Sequence, residues 1–166
     1  MQHTRYETGF TMAELLLAMA IAGILLAAVA VAFNASIMNY RENEDIFKTM
    51  NSARQALFRM TSQLRTADAV DPNSPATECT LITAGGQDIT YRYNDGDNKL
   101  YLVTNDDASD SDYVLCDNVT AMTFTKNAVI EDTQIKVKSV QMSITVASGN
   151  AQRTVSTAAV IRRNLN

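Results

Sequence analysis

A chain of 166 residues, 46% hydrophobic and 19% charged, has room for one modest domain plus an extension, with a single small core. A net charge of −4 and a pI near 4.9 argue against a general affinity for nucleic acid or anionic lipid. One histidine, His3, and two cysteines, Cys79 and Cys116, are too few for a zinc or iron–sulfur framework, and no P-loop, GxGxxG, HExxH or GxSxG pattern occurs.

The first element is apolar. Gly9 to Glu14, GFTMAE, runs into an uncharged, proline-free segment from Leu15 to Phe33. About 19 residues at 1.5 Å each make a helix of roughly 28 Å, which matches a bilayer core. A buried helix of a soluble protein fits poorly, because the segment is apolar all round and has no stripe. A cleaved secretory signal has small-x-small sites at Ala28-Val29-Ala30 and Ala30-Val31-Ala32, but only Arg5 as a firm positive charge before the apolar run, offset by Glu7. A plain single-pass anchor accounts for the length and leaves Glu14 unexplained. A carboxylate in hydrocarbon costs roughly 2.5–3.5 kcal/mol, so its presence points to a task.

Beyond Phe33 the chain turns polar, and nothing breaks a helix before Ala69 to Pro75, AVDPNSP. Ile46, Met50, Ala53, Leu57, Met60, Leu64 and Ala67 alternate spacings of four and three, a stripe suited to packing on a sheet of the same chain. Lys48, Ser52, Gln55 and Arg59 fall largely on the other side. Pro72 is expected to stop the helix, with 71–77 as the boundary to a strand-rich C-terminal part. Short runs rich in β-branched and aromatic residues there read as strands: CTLIT, DITYRY, KLYLVT, DYVLC and VTAMTFT. Asn94 to Asn98, NDGDN, reads as a hairpin loop. Val140, Met142, Ile144 and Val146 alternate through SVQMSITV, which turns at ASGNA and returns through TVSTAAVI. The expected fold is α+β: a long N-terminal helix whose distal half packs on a C-terminal antiparallel β-sheet head.

A glycine, then FTxxE, then a long apolar run resembles the class III leader of type IV pilins and type II secretion pseudopilins. That resemblance implies a prepilin peptidase that cuts after Gly9 and methylates the new amino terminus at Phe10. It also implies that Glu14 neutralises a positively charged N-terminal amine during filament assembly. Phe10 and Glu14 stand about one helical turn apart, so such a pair is geometrically accessible. Ala18, Ala20, Ala22, Gly23, Ala27 and Ala28 would let helices approach closely, unless they simply make a good membrane helix. ARQALFRMTSQLRTA, ITYRY with NKLYLV, and SVQMSITV with VSTAAVIRRNLN are similar to PilW-like minor pilins and to J-type minor pseudopilins. Many major pilins carry a proline within the apolar helix; its absence here points to a low-abundance tip or priming subunit.

The implied organisation is a leader at 1–9, a membrane and filament-core helix at 10–33, an amphipathic helix at 34–70 and a β-rich head at 71–166. The implied partners are other major and minor pilins or pseudopilins, the prepilin peptidase and the inner-membrane assembly platform. The chain would sit in the bacterial inner membrane, N-terminus cytoplasmic and head periplasmic, before moving into a pilus or pseudopilus. In that oxidising compartment Cys79 and Cys116 are expected to bridge, closing a loop of about 37 residues worth roughly 3–4 kcal/mol; two buried unpaired thiols are the alternative. Asp95, Asp97, Asp106, Asp107, Asp110, Asp112 and Asp117 cluster in two loops; oxygen-rich loops can hold calcium, as in some pseudopilins, but no EF-hand spacing is present and ordinary turn chemistry explains them, so no metal is expected. No cofactor and no nucleic-acid partner is expected, and the function implied is structural rather than enzymatic. A single-pass anchored domain that never polymerises is the competing reading.

Overall fold

Helix α1 spans Met12–Thr66 in the computed structural model, which describes residues 9–106, 112–131 and 134–164. The chain divides into two compact units, Met1–Arg41 and Glu42–Asn166. In the first unit every described residue is exposed, including Leu16, Ile24 and Val31. Its apolar part of α1 is long and apolar enough to cross a membrane.

In the second unit α1 buries Ile46, Ala53, Ala56, Leu57, Met60 and Leu64, with Met50 half-buried and Ala67 buried just past its end. That is the stripe legible in the sequence, with Ala56 added. Lys48, Ser52, Gln55 and Arg59 lie on the other side; Ser52, Gln55 and Arg59 are exposed and Lys48 carries its ammonium to Glu44 at 2.8 Å. Complete burial of a side chain such as Leu64 or Met60 contributes about 1.5–3 kcal/mol.

The helix ends at Thr66, four residues before the expected 70. Ala69–Val70 forms strand β1 instead, paired with Ile82 and Leu81 of β2 (Glu78–Ile82). A backbone that pairs with a neighbouring strand cannot also close helical hydrogen bonds, and Pro72 disfavours a helical Asp71.

The strands continue as β3 (Asp88–Asn94), β4 (Lys99–Thr104), β5 (Tyr113–Cys116), β6 (Val119–Glu131), β7 (Gln134–Ser148) and β8 (Ala151–Val160). A short 3-10 turn, Arg162–Asn164, follows. All the runs read as strands are strands. They form the antiparallel head expected, divided into two sheets: β1 to β5 make one in chain order, and β6 to β8 make a second. The break falls at Asp117-Asn118, where Asn118 takes φ 57° and β6 turns away to pair with β7. Asparagine tolerates this left-handed conformation better than most residues.

Opposed hydroxyls line up at the paired positions Thr80 and Thr90 (2.9 Å), Thr145 and Thr154 (2.9 Å), and Ser143 and Ser156 (2.9 Å). The β7–β8 hairpin turns on two residues, Gly149-Asn150, between the paired Ser148 and Ala151, with Gly149 at φ +55°. Both sheets and the helix share one core, from Leu81, Ile89, Tyr91 and Leu100 to Met142, Ile144 and Val146. Between β6 and β7 two bulges reset the alternation: Thr120 separates Val119 from the buried pair Met122 and Phe124, and Lys138 separates Val137 from Val140.

The segment 71–77, expected as a boundary, is tied into the second unit. Lys126 of β6 donates from Nζ to the carbonyls of Ser74 (2.6 Å), Pro75 (3.1 Å) and Glu78 (3.0 Å), using all three ammonium protons. The Phe124 amide donates to the carbonyl of Ala76 (2.7 Å) and the Tyr93 amide to that of Thr77 (3.1 Å).

Candidate functional site at the start of the helix

Glu14 lies in the first turn of α1, and its carboxylate turns back on its own helix start. The amide of Thr11 donates to Glu14 Oε2 at 2.9 Å and the Thr11 hydroxyl donates to the same oxygen at 3.0 Å. The Glu14 amide donates to Thr11 Oγ1 at 3.3 Å. This reciprocal pair is a capping box, in which an N-cap hydroxyl and a glutamate three residues on satisfy donors that no helical carbonyl can reach. The pattern Thr-x-x-Glu is present in TMAE, but a search for a charge partner alone passes over it.

The cap has a chemical consequence. It holds the carboxylate at the positive end of the helix, where negative charge is favoured. It also aims that carboxylate at the backbone of Thr11, one residue from Phe10. Phe10 is 89% exposed, and a side chain added at Gly9 would meet nothing within 4 Å, so neither residue is held by packing.

The other candidate positions are not drawn into this site. Cys79 and Cys116 are free, buried thiols on β2 and β5, with β3 and β4 between them. Three strand spacings amount to about 14 Å, twice the roughly 7 Å that a disulfide spans between α-carbons. The expected bridge is thus not formed, because the sheet seats each sulfur in the core at a different strand. Burial pushes both thiols up to about 11; a nearby Lys126 opposes the rise at Cys79, and Asp117 adds to it at Cys116.

Three carboxylates of the acidic loops have partners of their own. Asp97 accepts from the Tyr101 hydroxyl, Asp106 accepts from the Asp88 amide (2.7 Å), and Asp112 pairs with Arg92. Asp107 and Asp110 lie outside the described residues. Among the described residues no group of three acidic, histidine or cysteine side chains is arranged to hold a metal ion.

A family model for the prokaryotic N-terminal methylation motif matches residues 4–30. No curated protein and no solved structure matches the chain. The matched segment contains Gly9, Phe10, the capping box and most of the apolar run. It supports a prepilin-type, type IV pilin-like protein, a substrate of the pilin or pseudopilin kind. A motif of this type suggests a structural subunit rather than an enzyme, and implies processing by a prepilin peptidase and assembly with other pilins. The long apolar helix fits membrane anchoring followed by a place in a filament.

Proposed function

We propose that the chain is a minor pilin, a tip or priming subunit of a type IV pilus, made as a prepilin, cut after Gly9 and N-methylated at Phe10. Before assembly it sits in the bacterial inner membrane with its N-terminus cytoplasmic and the β-rich second unit periplasmic. It then passes through the assembly platform and packs beside other major and minor pilins. The observation that carries this reading is the coincidence of the methylation motif with a carboxylate fixed at the helix start, four residues from the residue whose amine cleavage would free. The apolar segment, fully exposed along its length, supplies the surface that is covered first by lipid and then by neighbouring helices. The methylation motif fits pseudopilins as well as pilins, which supports a second reading, a minor pseudopilin of a type II secretion system.

Glu14→Val tests the assembly role. Processing at Gly9 and membrane residence should persist, while co-purification with other pilin-type subunits is lost, because a buried amine without a counter-charge costs several kcal/mol. Glu14→Asp should recover only part of it, since the shorter side chain keeps the charge and loses reach. Undiminished co-purification and fibre number in the valine variant would favour an anchored domain that does not polymerise.

A further inference from the structure

Phe58 is 79% exposed and Phe47 59% exposed, although both lie on the part of α1 that packs against the sheets. Phe47, Arg54, Phe58 and Arg65 are seven, four and seven residues apart, which puts them on one line down the helix, beside the buried stripe. Arg54, Phe58, Thr61 and Arg65 line an apolar groove of about 360 Å³ whose far wall is Val155 and Thr157 of β8. That strand is the outer one of its sheet. The Thr61 hydroxyl is buried with no hydrogen-bond partner among the described residues. The groove continues past Arg65 to Arg162.

Arg54, Arg65 and Arg162 form no ion pair among the described residues; Arg163, further along, is occupied by Asp68. An unpaired run of arginines around an exposed phenylalanine is unusual on a chain of net charge −4. Exposed aromatics flanked by arginines are the side chains that dominate binding energy in protein interfaces. The complementary chemistry is present on the same chain. Asp95 and Asp97 in the β3–β4 turn and Asp117 in the β5–β6 turn are exposed and form no ion pair among the described residues. The two turns adjoin, since the Val119 amide donates to the Asn98 carbonyl at 2.8 Å.

We infer that this groove is the docking face for a second copy of the chain, which inserts its acidic turns between the arginines and covers Phe58. The contact joins two different surfaces, so the two copies meet head-to-tail instead of closing a dimer, and a tip or priming assembly would hold at least two copies of this chain. This inference rests on the pilin-type reading and adds to it a surface and a neighbour.

The test uses the full-length chain in membranes of an expression host that also makes a prepilin peptidase. A photo-reactive benzoylphenylalanine at Phe58 should yield a crosslinked dimer, and peptide mapping should place the second copy's attachment within 94–98 or 112–119. Arg54→Glu with Arg65→Glu should lower that yield roughly tenfold, as should Asp95→Lys with Asp97→Lys and Asp117→Lys. Two differently tagged chains, one carrying each set of reversals, should recover the crosslink, which also shows that both variants fold. Attachment to a different subunit, attachment to lipid alone, no attachment, or a dimer indifferent to the reversals would overturn the inference. Cleavage after Gly9 is read in the same samples: uncut chain counts against the pilin-type reading, whereas normal cleavage without the dimer counts against this contact alone.

Discussion

The two thiols show how far one residue's fate depends on its strand. Each is buried because it points into the core from its strand, and burial raises its pKa from 9.0 to about 11 by disfavouring the thiolate. The fold therefore prefers the neutral thiols. Their contribution to stability is complete below about pH 9 and is lost as pH rises through about 11, because the unfolded chain ionises first. Circular dichroism of the second unit's strands should report a falling denaturation midpoint across that window, reduced when both cysteines are replaced by valine. Alkylation near neutral pH should be slow in the folded chain, and complete at both residues after unfolding without reductant. A Cys79–Cys116 disulfide peptide in a non-reduced digest would contradict a sheet that places β3 and β4 between them.

At the scale of elements, the connection from helix to sheet behaves as structure rather than as a linker. Lys126 reaches from β6 to three carbonyls of the segment that carries Pro72 and Pro75, and its burial holds the ammonium pKa below its usual value. Removing the donors strands those carbonyls in a partly buried place. Lys126→Met, which keeps the length of the side chain, should lower stability by about 1–3 kcal/mol in urea titrations of the full chain in detergent. A loss within error would mean that water replaces the ammonium without cost. The β7–β8 hairpin is set differently, by local chemistry alone: a two-residue turn with glycine at a positive φ matches the twist of the strands it joins.

On the scale of the whole molecule, two kinds of apolar surface occur in one chain. From Glu42 onward most apolar side chains are gathered into a core, Phe47 and Phe58 being among the exceptions, whereas from Gly9 to Arg41 they are all exposed. An apolar surface of that extent has to be covered by lipid or by other helices. Cleavage before such a segment keeps it on the mature chain, whereas a secretory signal is lost with its apolar run. The intact mass of the mature protein should begin at a methylated Phe10, and Gly9→Val should leave the full-length precursor in the membrane. A mature terminus at Val31 or Phe33 would establish a secretory signal and remove the filament reading.

The apolar segment, the stripe from Ile46 to Ala67 and the strand runs are legible in the amino-acid order because each is a local pattern: an unbroken run, a period of 3.6 or a period of 2. The Thr11–Glu14 cap is legible too, as a four-residue pattern, although weighing the carboxylate for its charge alone hides it. The division into two sheets, the separation of Cys79 from Cys116 and the grip of Lys126 on Ser74, Pro75 and Glu78 are not. Each joins residues far apart in the chain: the lysine lies 48 to 52 residues from its carbonyls, a separation with no periodic trace. Compartment and sequence distance made a disulfide plausible. Strand order decided otherwise, because two strands inserted between the cysteines exceed the reach of a sulfur–sulfur bond.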